Sequence, residues 1–316
     1  MISVIIPTYR RYEMLKEAVR SVLAQTYQDI EIIVVDDCSG DNTAQIAEMS
    51  SKITYYCNER NSGPNYSRRY GLLRSHGEYI VFLDDDDYYT DPLFYSKAIS
   101  LLKNKPDSVF VAANAIVSNE YDGTQIEDRL NISGAIRTSD YLQHFPFSYK
   151  KPHSTFTSVF RRSSLLSVGA AEMSMLNDMP LYMRVLTADG TVFVMDDTIG
   201  VYRIHNTNIS KSMTWDFICA NLEEKYIVKQ LIEQQSLFSD VGDWWLKQIE
   251  ITVSYFIYGS HPSLVEWQKA KKWCLTHSLN ENEKAIKSLF QKYRDYLIDY
   301  RVCKLKCAIK GILRLK

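Results

Sequence analysis

Short apolar runs alternate with helix-like patterns over residues 1–90 of the chain. The apolar runs are rich in Ile and Val, which is typical of strands buried on both faces of a parallel sheet. Between them, apolar residues recur at helical spacing, as with Leu15, Val19, Val22 and Leu23. The predicted strands are 3–6, 31–35, 52–56 and 79–83, and the predicted helices are 12–25, 44–49 and 64–75. This order predicts an α/β fold, an open, mostly parallel Rossmann-like sheet with helices on both faces.

The pattern of apolar and polar residues changes twice after residue 90. It is mixed between 107 and 212, with predicted strands at 108–113, 155–160 and 191–195 and a predicted helix at 177–188. After Trp215 it is almost wholly helical, as in 215–235 and 243–258. We therefore predict an α/β domain over 1–212, made of halves 1–106 and 107–212, and a helical C-terminal region over 213–316.

Chemically useful residues follow the predicted strands at their carboxyl ends. Pro7, Thr8 and Tyr9 follow the first strand, Asp36 and Asp37 the second, and the run 84–87 the fourth. Ligands of open α/β sheets bind beyond the carboxyl ends of the strands. The sequence therefore predicts a ligand site at this edge of the sheet.

The run at 84–87 consists of four consecutive aspartates directly after a hydrophobic strand. Neighbouring carboxylates repel one another and raise each other's pKa, and a divalent cation removes that repulsion. Hard oxygen ligands suit Mg²⁺ or Mn²⁺, and such ions keep positions open for the phosphates of a nucleotide. The alternative is a solvated turn in which Asp87 or Asp91 caps the helix that begins near Pro92.

Two further polar groups have both a ligand-binding and a structural interpretation. The carboxylate of Asp37 can accept hydrogen bonds from a nucleobase or a ribose hydroxyl, or can favour the start of the next helix. Arg68 and Arg69 lie on the helix that precedes the fourth strand, where a guanidinium can pair with phosphate or with an acidic residue.

The composition of the chain argues against several classes of protein. A formal net charge of −1 over 316 residues gives no reason to expect nucleic-acid binding. The six cysteines have neither CxxC pairs nor zinc-ligand spacing, which is typical of reduced thiols in a cytosolic protein. The apolar start lacks a basic segment and is interrupted by Pro7, so no secretory signal is predicted. No apolar stretch is long enough for a membrane span.

The strand and strand-end segments together resemble the family 2 inverting glycosyltransferases of the GT-A fold. The segments are 3–9 (SVIIPTY), 21–27 (SVLAQTY), 35–43 (VDDCSGDNT), 61–63 (NSG), Arg68, Gly71 and 77–87 (GEYIVFLDDDD). Each is weak alone, but their joint order and spacing are specific. The resemblance is looser through His205 and absent from the helical tail. It implies a GT-A catalytic domain over 1–212, with a nucleotide-sugar half at 1–106 and an acceptor half at 107–212.

The resemblance also implies roles for individual residues. The residues that would line the nucleobase and ribose pocket are Pro7, Tyr9, Asp37, Asn61 and Arg68. Asp84 and Asp85 would contact the ribose and the sugar, and Asp86 would coordinate Mn²⁺ or Mg²⁺. Asp85 stands where the family usually has a small polar residue, so Asp85 or Asp87 can share the metal.

The implied catalytic base lies in the second half of the domain. The family's Glu-Asp pair at the start of a helix corresponds here to Asn177 and Asp178, so Asp178 would be the base. Pro180 in the first turn equally fits a helix start that Asp178 caps. His205 is a second implied metal or diphosphate ligand, and alone it would be interpreted as a structural histidine.

The pattern of basic and apolar residues in the predicted C-terminal helix indicates contact with a membrane. Basic residues surround an apolar stripe: Lys304, Lys306, Lys310, Arg314 and Lys316 around Val302, Leu305, Ala308, Ile309, Ile312 and Leu313. Such a helix lies on anionic membranes, or packs on the protein with its basic face in solvent. Membrane contact suits a lipid-linked acceptor at the inner face of the plasma membrane. The Tyr- and Trp-bearing segment 244–258 would instead suit a homo-oligomer interface.

The resulting prediction is a cytoplasmic, metal-dependent hexosyltransferase. It would move a sugar from a nucleotide-diphosphate donor, expected to be a UDP-sugar, to a glycan hydroxyl in the assembly of a bacterial O-antigen or capsule. A sugar nucleotidyltransferase is the first alternative, but the segment after the first strand lacks the glycine-rich phosphate loop of such enzymes. A non-catalytic nucleotide- or carbohydrate-binding module is the second alternative.

Overall fold

The computed structural model describes residues 1–205, 214–278 and 282–314, with side chains in the last segment described through Arg301 and at Cys303. The chain divides into two compact units, Met1–Asn208 and Ile209–Lys316. The first is a mixed α/β unit and the second is helical.

The first half of the α/β unit is built on four parallel strands. In chain order they are β1 (Ile2–Thr8), β2 (Ile30–Asp36), β3 (Ile53–Cys57) and β4 (Tyr79–Phe82). They are connected by α1 (Tyr12–Leu23), a 3-10 helix (Asn42–Met49) and α2 (Pro64–Arg74). The spatial order is β3-β2-β1-β4, with every neighbouring pair parallel. The carboxyl ends of β1, β2 and β4 therefore meet at one edge.

The second half extends the sheet with mixed pairing, and the sheet has ten strands within the described part of the chain. Its strands are β5 (Tyr88–Tyr89), β6 (Ser108–Asn119), β7 (Gln125–Asp128), β8 (Gly134–Arg137), β9 (Ser158–Arg161) and β10 (Thr191–Ile204). Its helices are α3 (Phe94–Asn104), α4 (Thr138–His144), α5 (Arg162–Ser167) and α6 (Asp178–Val185). The short strand β9 lies between β4 and β6, antiparallel to both, so the parallel arrangement is limited to the first half and to the β6–β10 pair.

Two strand predictions are corrected by the structure. Residues Thr155–Thr157 form a 3-10 turn, not the start of a strand, because Thr157 bonds through its main-chain N–H and its hydroxyl to the carbonyl of Ser154. β10 is much longer than the predicted 191–195, and it continues past Asp196 and Asp197 through irregular register to Ile204. These carboxylates broke the apolar pattern on which the prediction relied.

The core of the α/β unit lies between the sheet and its helices. Every residue of β1 is buried, as the unbroken apolar run predicts. α1 buries Leu15, Ala18, Val19 and Val22 on a single face. Burial of each such Val or Leu side chain contributes about 1.5–3 kcal/mol, so this packing fixes the start of α1 beside the end of β1.

Close packing of α2 against β1 requires a glycine. A Cβ at Gly71 would lie 2.4 Å from Cγ2 of Ile5. We expect Gly71→Ala to lower the free energy of unfolding by about 1–3 kcal/mol, since the well-packed core must shift to accept a methyl group. Urea denaturation measures the loss. Leu73→Ala on the same helix is the control, because Leu73 is 60% exposed. Equal stability of the two variants would contradict this packing.

The second unit consists of helices α7 (Trp215–Gln235), α8 (Val241–Ser260), α9 (Leu264–Thr276) and α10 (Glu283–Arg314). None of the described helices is long and apolar enough to cross a membrane. The side chains of the predicted basic amphipathic tail lie outside the described residues. Lys225 of α7 is fully buried and donates to the hydroxyl of Thr252 on α8 at 2.7 Å. Burial lowers the pKa of Lys225 to about 7.

This buried lysine gives the helical unit a pH-dependent stability. The unfolded chain binds a proton at Lys225 up to about pH 10.4, whereas the folded chain releases it near pH 7. The group therefore costs stability most below pH 7, and the cost is relieved as pH rises toward 10. We expect Lys225→Met to stabilise the protein by about 1–3 kcal/mol at pH 6 and by less at pH 9.5.

Thermal unfolding of the full chain at both pH values measures the difference. Lys229→Met is the matched control, since Lys229 is buried on the same helix but is paired with Glu233 at 2.7 Å. A gain that stays constant between pH 6 and 9.5 would rule out proton release from Lys225 as its cause.

Candidate active site

The acidic run follows β4, at the edge of the sheet where the parallel strands end. Asp84 forms an ion pair with Arg68 of α2, and Arg68 also donates to the carbonyl of Leu176 at 3.3 Å. Burial by itself lowers the pKa of Arg68, but the carboxylates of Asp84 and Asp178 outweigh it and raise that pKa. The guanidinium thus joins α2 to the segment that precedes α6.

Arg11, immediately before α1, neutralises the middle of the run. Its Nη1 lies 3.0 Å from Oδ1 of Asp85 and 2.7 Å from Oδ2 of Asp86. The hydroxyl of Thr8, the last residue of β1, donates to Oδ2 of Asp85 at 2.7 Å. Burial and the neighbouring Asp86 raise the pKa of Asp85 to about 7, and Arg11 opposes that rise. Both oxygens of Asp85 are therefore bonded to groups of the protein.

The end of β10 completes the surroundings of the run. His205 Nε2 lies 2.9 Å from Oδ2 of Asp86, and both side chains are buried. The main-chain N–H of Arg203 donates to Oδ1 of Asp87 at 3.1 Å. Oδ2 of Asp87 is buried and has no hydrogen-bond partner among the described residues. Burial, with the charges of Asp86 and Asp84, raises the pKa of Asp87 well above its usual value.

Three of the four carboxylates are placed to hold a cation. Oxygens of Asp84, Asp86 and Asp87 all lie within 4.8 Å of one another. The unpartnered oxygen of Asp87 is a free ligand atom in this group, and hard carboxylate oxygens suit Mg²⁺ or Mn²⁺. The residues therefore fit a divalent metal, with Asp87 rather than Asp85 beside Asp86. His205 contacts Asp86 but is not one of the three clustered residues.

Neither Asp87 nor Asp91 caps α3, whose N-cap is Leu93 without a side-chain capping bond. Oδ1 of Asp91 accepts the N–H of Leu93 at 2.9 Å, in the turn before the helix. Asp87 instead binds the backbone of β10, as above. The last residue of the run is thus fixed by a strand 116 positions away in sequence.

The predicted nucleotide-pocket residues lie on the ends of β1 and β2 and the loop before α2. Pro7 is buried within β1, Tyr9 is 36% exposed just after it, and Asn61 is exposed in the loop. The carboxylate of Asp37 accepts hydrogen bonds from the Asn58 side chain and from the N–H groups of Ser62 and Gly63, at 2.7–2.8 Å. Asp37 therefore shapes the loop that carries Asn61, a structural role that its position alone did not reveal.

Asp178 is the first residue of α6, and Asn177 occupies the N-cap without a side-chain capping bond. The carboxyl group of Asp178 is 30% exposed, and its Oδ2 lies 3.3 Å from Nζ of Lys151. Its charge contributes to raising the pKa of Asp84 and that of Arg68. The structure therefore brings Asp178 beside the acidic run, as an accessible carboxylate and not as a helix cap.

Comparison with known proteins assigns the chain to a family. Residues 3–169, more than half of the chain, match the family described as Glycosyl transferase family 2. The chain belongs to glycosyl transferase family 2. The matched range contains the acidic run, Arg11 and Arg68, and it ends before Asp178.

Two curated proteins are similar to this glycosyltransferase over much of its length. A GalNAc(5)-diNAcBac-PP-undecaprenol beta-1,3-glucosyltransferase of Campylobacter jejuni is 31% identical over 216 residues, which cover 64% of each chain. The putative teichuronic acid biosynthesis glycosyltransferase TuaG of Bacillus subtilis is 24% identical over 72% of this chain and 91% of its own. The chain thus spans somewhat less than two thirds of the first relative.

The fold of the glycosyltransferase matches that of a solved enzyme. S. aureus TarS 1-349 in complex with UDP-GlcNAc superposes with a TM-score of 0.68 at 19% identity, covering 95% of this chain and 91% of the other. The likeness confirms the predicted GT-A fold with its C-terminal helices.

Three residues that contact carboxylates of the site, Arg11, Arg203 and Lys151, are not among the residues predicted for it, and Thr8 is predicted only as part of the strand-end segment 7–9. No local pattern marks any of them, because each acquires its role from carboxylates distant in sequence. The one available signal was the excess of carboxylate in the run, which requires compensating cations from other elements.

The ion pair of the buried Arg68 with the partly exposed Asp84 gives a test of this arrangement. We expect Arg68→Met to lower the free energy of unfolding by about 1–3 kcal/mol, because a charge-assisted hydrogen bond is lost and Asp84 is left beside the other carboxylates without its partner. Arg69→Met is the control: Arg69 is half-buried and packs over the ring of Tyr66 at 5.7 Å, so about 1 kcal/mol or less is expected. A similar loss for both variants in urea denaturation would show that the ion pair is not the cause.

Proposed function

We propose that the glycosyltransferase transfers a sugar from a UDP-sugar to a hydroxyl of a lipid-linked glycan, with inversion and with a divalent cation, during assembly of a bacterial surface polysaccharide. The observation that carries the proposal is the convergence of two kinds of carboxylate on Arg68. Asp84, one of three clustered carboxylates, pairs with it, and the accessible Asp178 raises its pKa together with Asp84. The ion pair of Arg68 with Asp84, and its hydrogen bond to the carbonyl of Leu176 two residues before Asp178, support a metal group and a base on either side of one guanidinium.

The cation-binding group is proposed to be Asp84, Asp86 and Asp87, with His205 as a further ligand through its contact with Asp86. When bound there, Mn²⁺ or Mg²⁺ would offset the negative charge that develops on the departing diphosphate. Its charge would also offset the burial and the mutual repulsion that raise the pKa of Asp84 and Asp87. Arg68 holds Asp84 in place and Arg11 holds Asp86, so each arginine also supplies positive charge to the group.

The donor is proposed to bind across the ends of β1 and β2. Tyr9, which is 36% exposed, would stack its ring on a nucleobase, and Pro7 and Asp37 are proposed to border the same pocket. Asn61, Arg68, Asp84 and Asp85 complete the set proposed for the nucleotide and its sugar. The TarS structure of the same fold holds UDP-GlcNAc, which supports a UDP-sugar as the donor.

Asp178 is proposed to act as the catalytic base. A partly exposed carboxylate is able to accept the proton of the acceptor hydroxyl while that oxygen attacks the anomeric carbon. A single in-line displacement inverts the anomeric centre, and an α-linked donor then gives a β-linkage. The Campylobacter jejuni relative is named as a beta-1,3-glucosyltransferase, which is consistent with this stereochemistry.

The acceptor is proposed to be a glycan on a lipid carrier. The name of the same relative includes a PP-undecaprenol acceptor, and that of TuaG includes teichuronic acid, a surface polymer. Contact with the inner face of the plasma membrane through the basic tail, and assembly through the segment 244–258, remain proposals from the sequence. The side chains that would make the membrane contact lie outside the described residues.

Donor turnover in the presence of metal tests the proposal. Purified protein is incubated with UDP-Glc, UDP-Gal, UDP-GlcNAc or UDP-GalNAc and Mn²⁺, and release of UDP is measured with and without EDTA. We expect metal-dependent release from one donor. Asp86→Asn should reduce it by about 10³-fold, the scale on which loss of a group that stabilises developing charge slows an enzyme.

Asp178→Asn should leave donor binding by calorimetry intact while it lowers turnover, because a base acts after binding. Asp122→Asn, in the exposed turn after β6, is the matched control and should behave as wild type. Binding of none of the four donors in the presence of Mn²⁺ would overturn the proposed function. Turnover that survives Asp86→Asn would overturn the assignment of the metal group.

A further inference from the structure

The loop at residues 151–153, in the second half of the α/β unit, contacts Asp178 through the side chain of Lys151. Nζ of Lys151 donates to the carbonyls of Pro152 and His153 at 2.7 and 2.6 Å. The same Nζ lies 3.3 Å from Oδ2 of Asp178. One ammonium group therefore holds the backbone of His153 close to the proposed base.

The ring of His153 is oriented by a carboxylate. Its Nδ1 lies 2.7 Å from Oδ2 of Asp128, the last residue of β7, and Nζ of Lys150 lies 3.1 Å from the other oxygen. Although burial opposes it, the hydrogen bonds from His153 and Lys150 lower the pKa of Asp128. Burial lowers the pKa of His153, so the neutral ring donates its Nδ1–H to an ionised carboxylate.

This tautomer leaves a lone pair on Nε2. Among the residues that the structure describes, none is a hydrogen-bond partner of His153 Nε2. The edge of the ring packs against Tyr202 of β10, with centroids 4.4 Å apart, and the side chain is 25% exposed. Tyr202 immediately precedes Arg203, whose main-chain N–H donates to Asp87, so Tyr202 lies next in sequence to a residue that contacts the acidic run.

We propose that His153 is an acceptor-binding residue: its Nε2 accepts a hydrogen bond from an acceptor-sugar hydroxyl that neighbours the one deprotonated by Asp178. Asp128 is the positioning residue that sets the tautomer, as carboxylates orient ligand-binding imidazoles elsewhere. This inference rests on the proposed function. The donor-side groups come from β1, β2, α2 and β4, whereas His153, Asp128 and Lys151 all belong to the second half. A free sugar hydroxyl is the hydrogen-bond donor that an imidazole lone pair requires.

Two amide substitutions separate this role from a structural one. The side-chain amide of Asn reaches the position of Nδ1, whereas that of Gln extends to the position of Nε2. His153→Gln therefore keeps an acceptor atom for the sugar, and His153→Asn keeps only the contact with Asp128. With UDP-sugar and Mn²⁺, transfer to p-nitrophenyl glycosides of glucose, galactose, GlcNAc and GalNAc is measured against hydrolysis of the donor by water.

We expect His153→Asn to lower the ratio of transfer to hydrolysis by about 10-fold, the effect of one lost hydrogen bond. His153→Gln should retain most of that ratio. Asp128→Asn should lower it through a higher KM for the glycoside, since the tautomer is no longer fixed. His144→Asn is the matched control, because His144 also contacts an aspartate, Asp140, at 3.3 Å and packs on a tyrosine ring. It should leave the ratio unchanged.

The opposite order of the two amides, with Asn active and Gln impaired, would show that only the contact with Asp128 matters and would overturn the inference. Wild-type protein that hydrolyses its donor but transfers to none of the glycosides would also overturn it, since the site would then not bind a single sugar. Absence of donor turnover altogether would instead count against the proposed function. Thermal unfolding of each variant identifies losses that arise from misfolding.

Discussion

The site depends on one electrostatic constraint, the concentration of four adjacent carboxylates at the end of a buried strand. Such a run is stable only where positive charge or hydrogen-bond donors reach it from other elements. Arg11 reaches it from the start of α1, Arg68 from α2, and His205 and the N–H of Arg203 from the end of β10. Neutralising the run therefore binds together the two halves of the α/β unit.

The sheet topology explains how groups so distant in sequence meet. β1 lies beside β4 in the sheet. Thr8 at the end of β1, and Arg11 just after it, therefore lie next to the acidic run that follows β4. β10 pairs with β5, the short strand that begins just after the run, and this pairing carries Arg203 and His205 to Asp87 and Asp86. Gly200 allows that approach, since a Cβ there would lie 2.5 Å from the carbonyl of Tyr88.

Local pattern is enough to predict the strands of the first half and the long helices, and it marks the acidic run as a candidate ligand site. It was not enough for roles that depend on long-range neighbours. The sequence leaves Asp37 either as a ligand-facing carboxylate or as a residue that favours the next helix, whereas in the structure three donors of its own chain bind it. β10 could not be traced past Asp196 and Asp197, because its irregular register replaces the strict alternation on which strand prediction relies. Arg11 and Lys151 carry no signal until the carboxylates that they contact are in place.

The acidic run and the two residues Asp178 and His153 differ in how the protein surrounds them, and we propose different chemical roles for them. In the acidic run, Asp84 faces Arg68 and both Asp85 and Asp86 face Arg11, whereas Asp87 receives only main-chain N–H and keeps one oxygen unpartnered. The protein's own cations thus fall short of the charge at Asp87, where an added divalent cation would be stabilised most. Asp178 and His153 are instead partly exposed and held by flanking groups, as their proposed roles toward an incoming hydroxyl require. A fully buried base would be closed to its substrate, and an exposed acidic run would bind water in place of a cation.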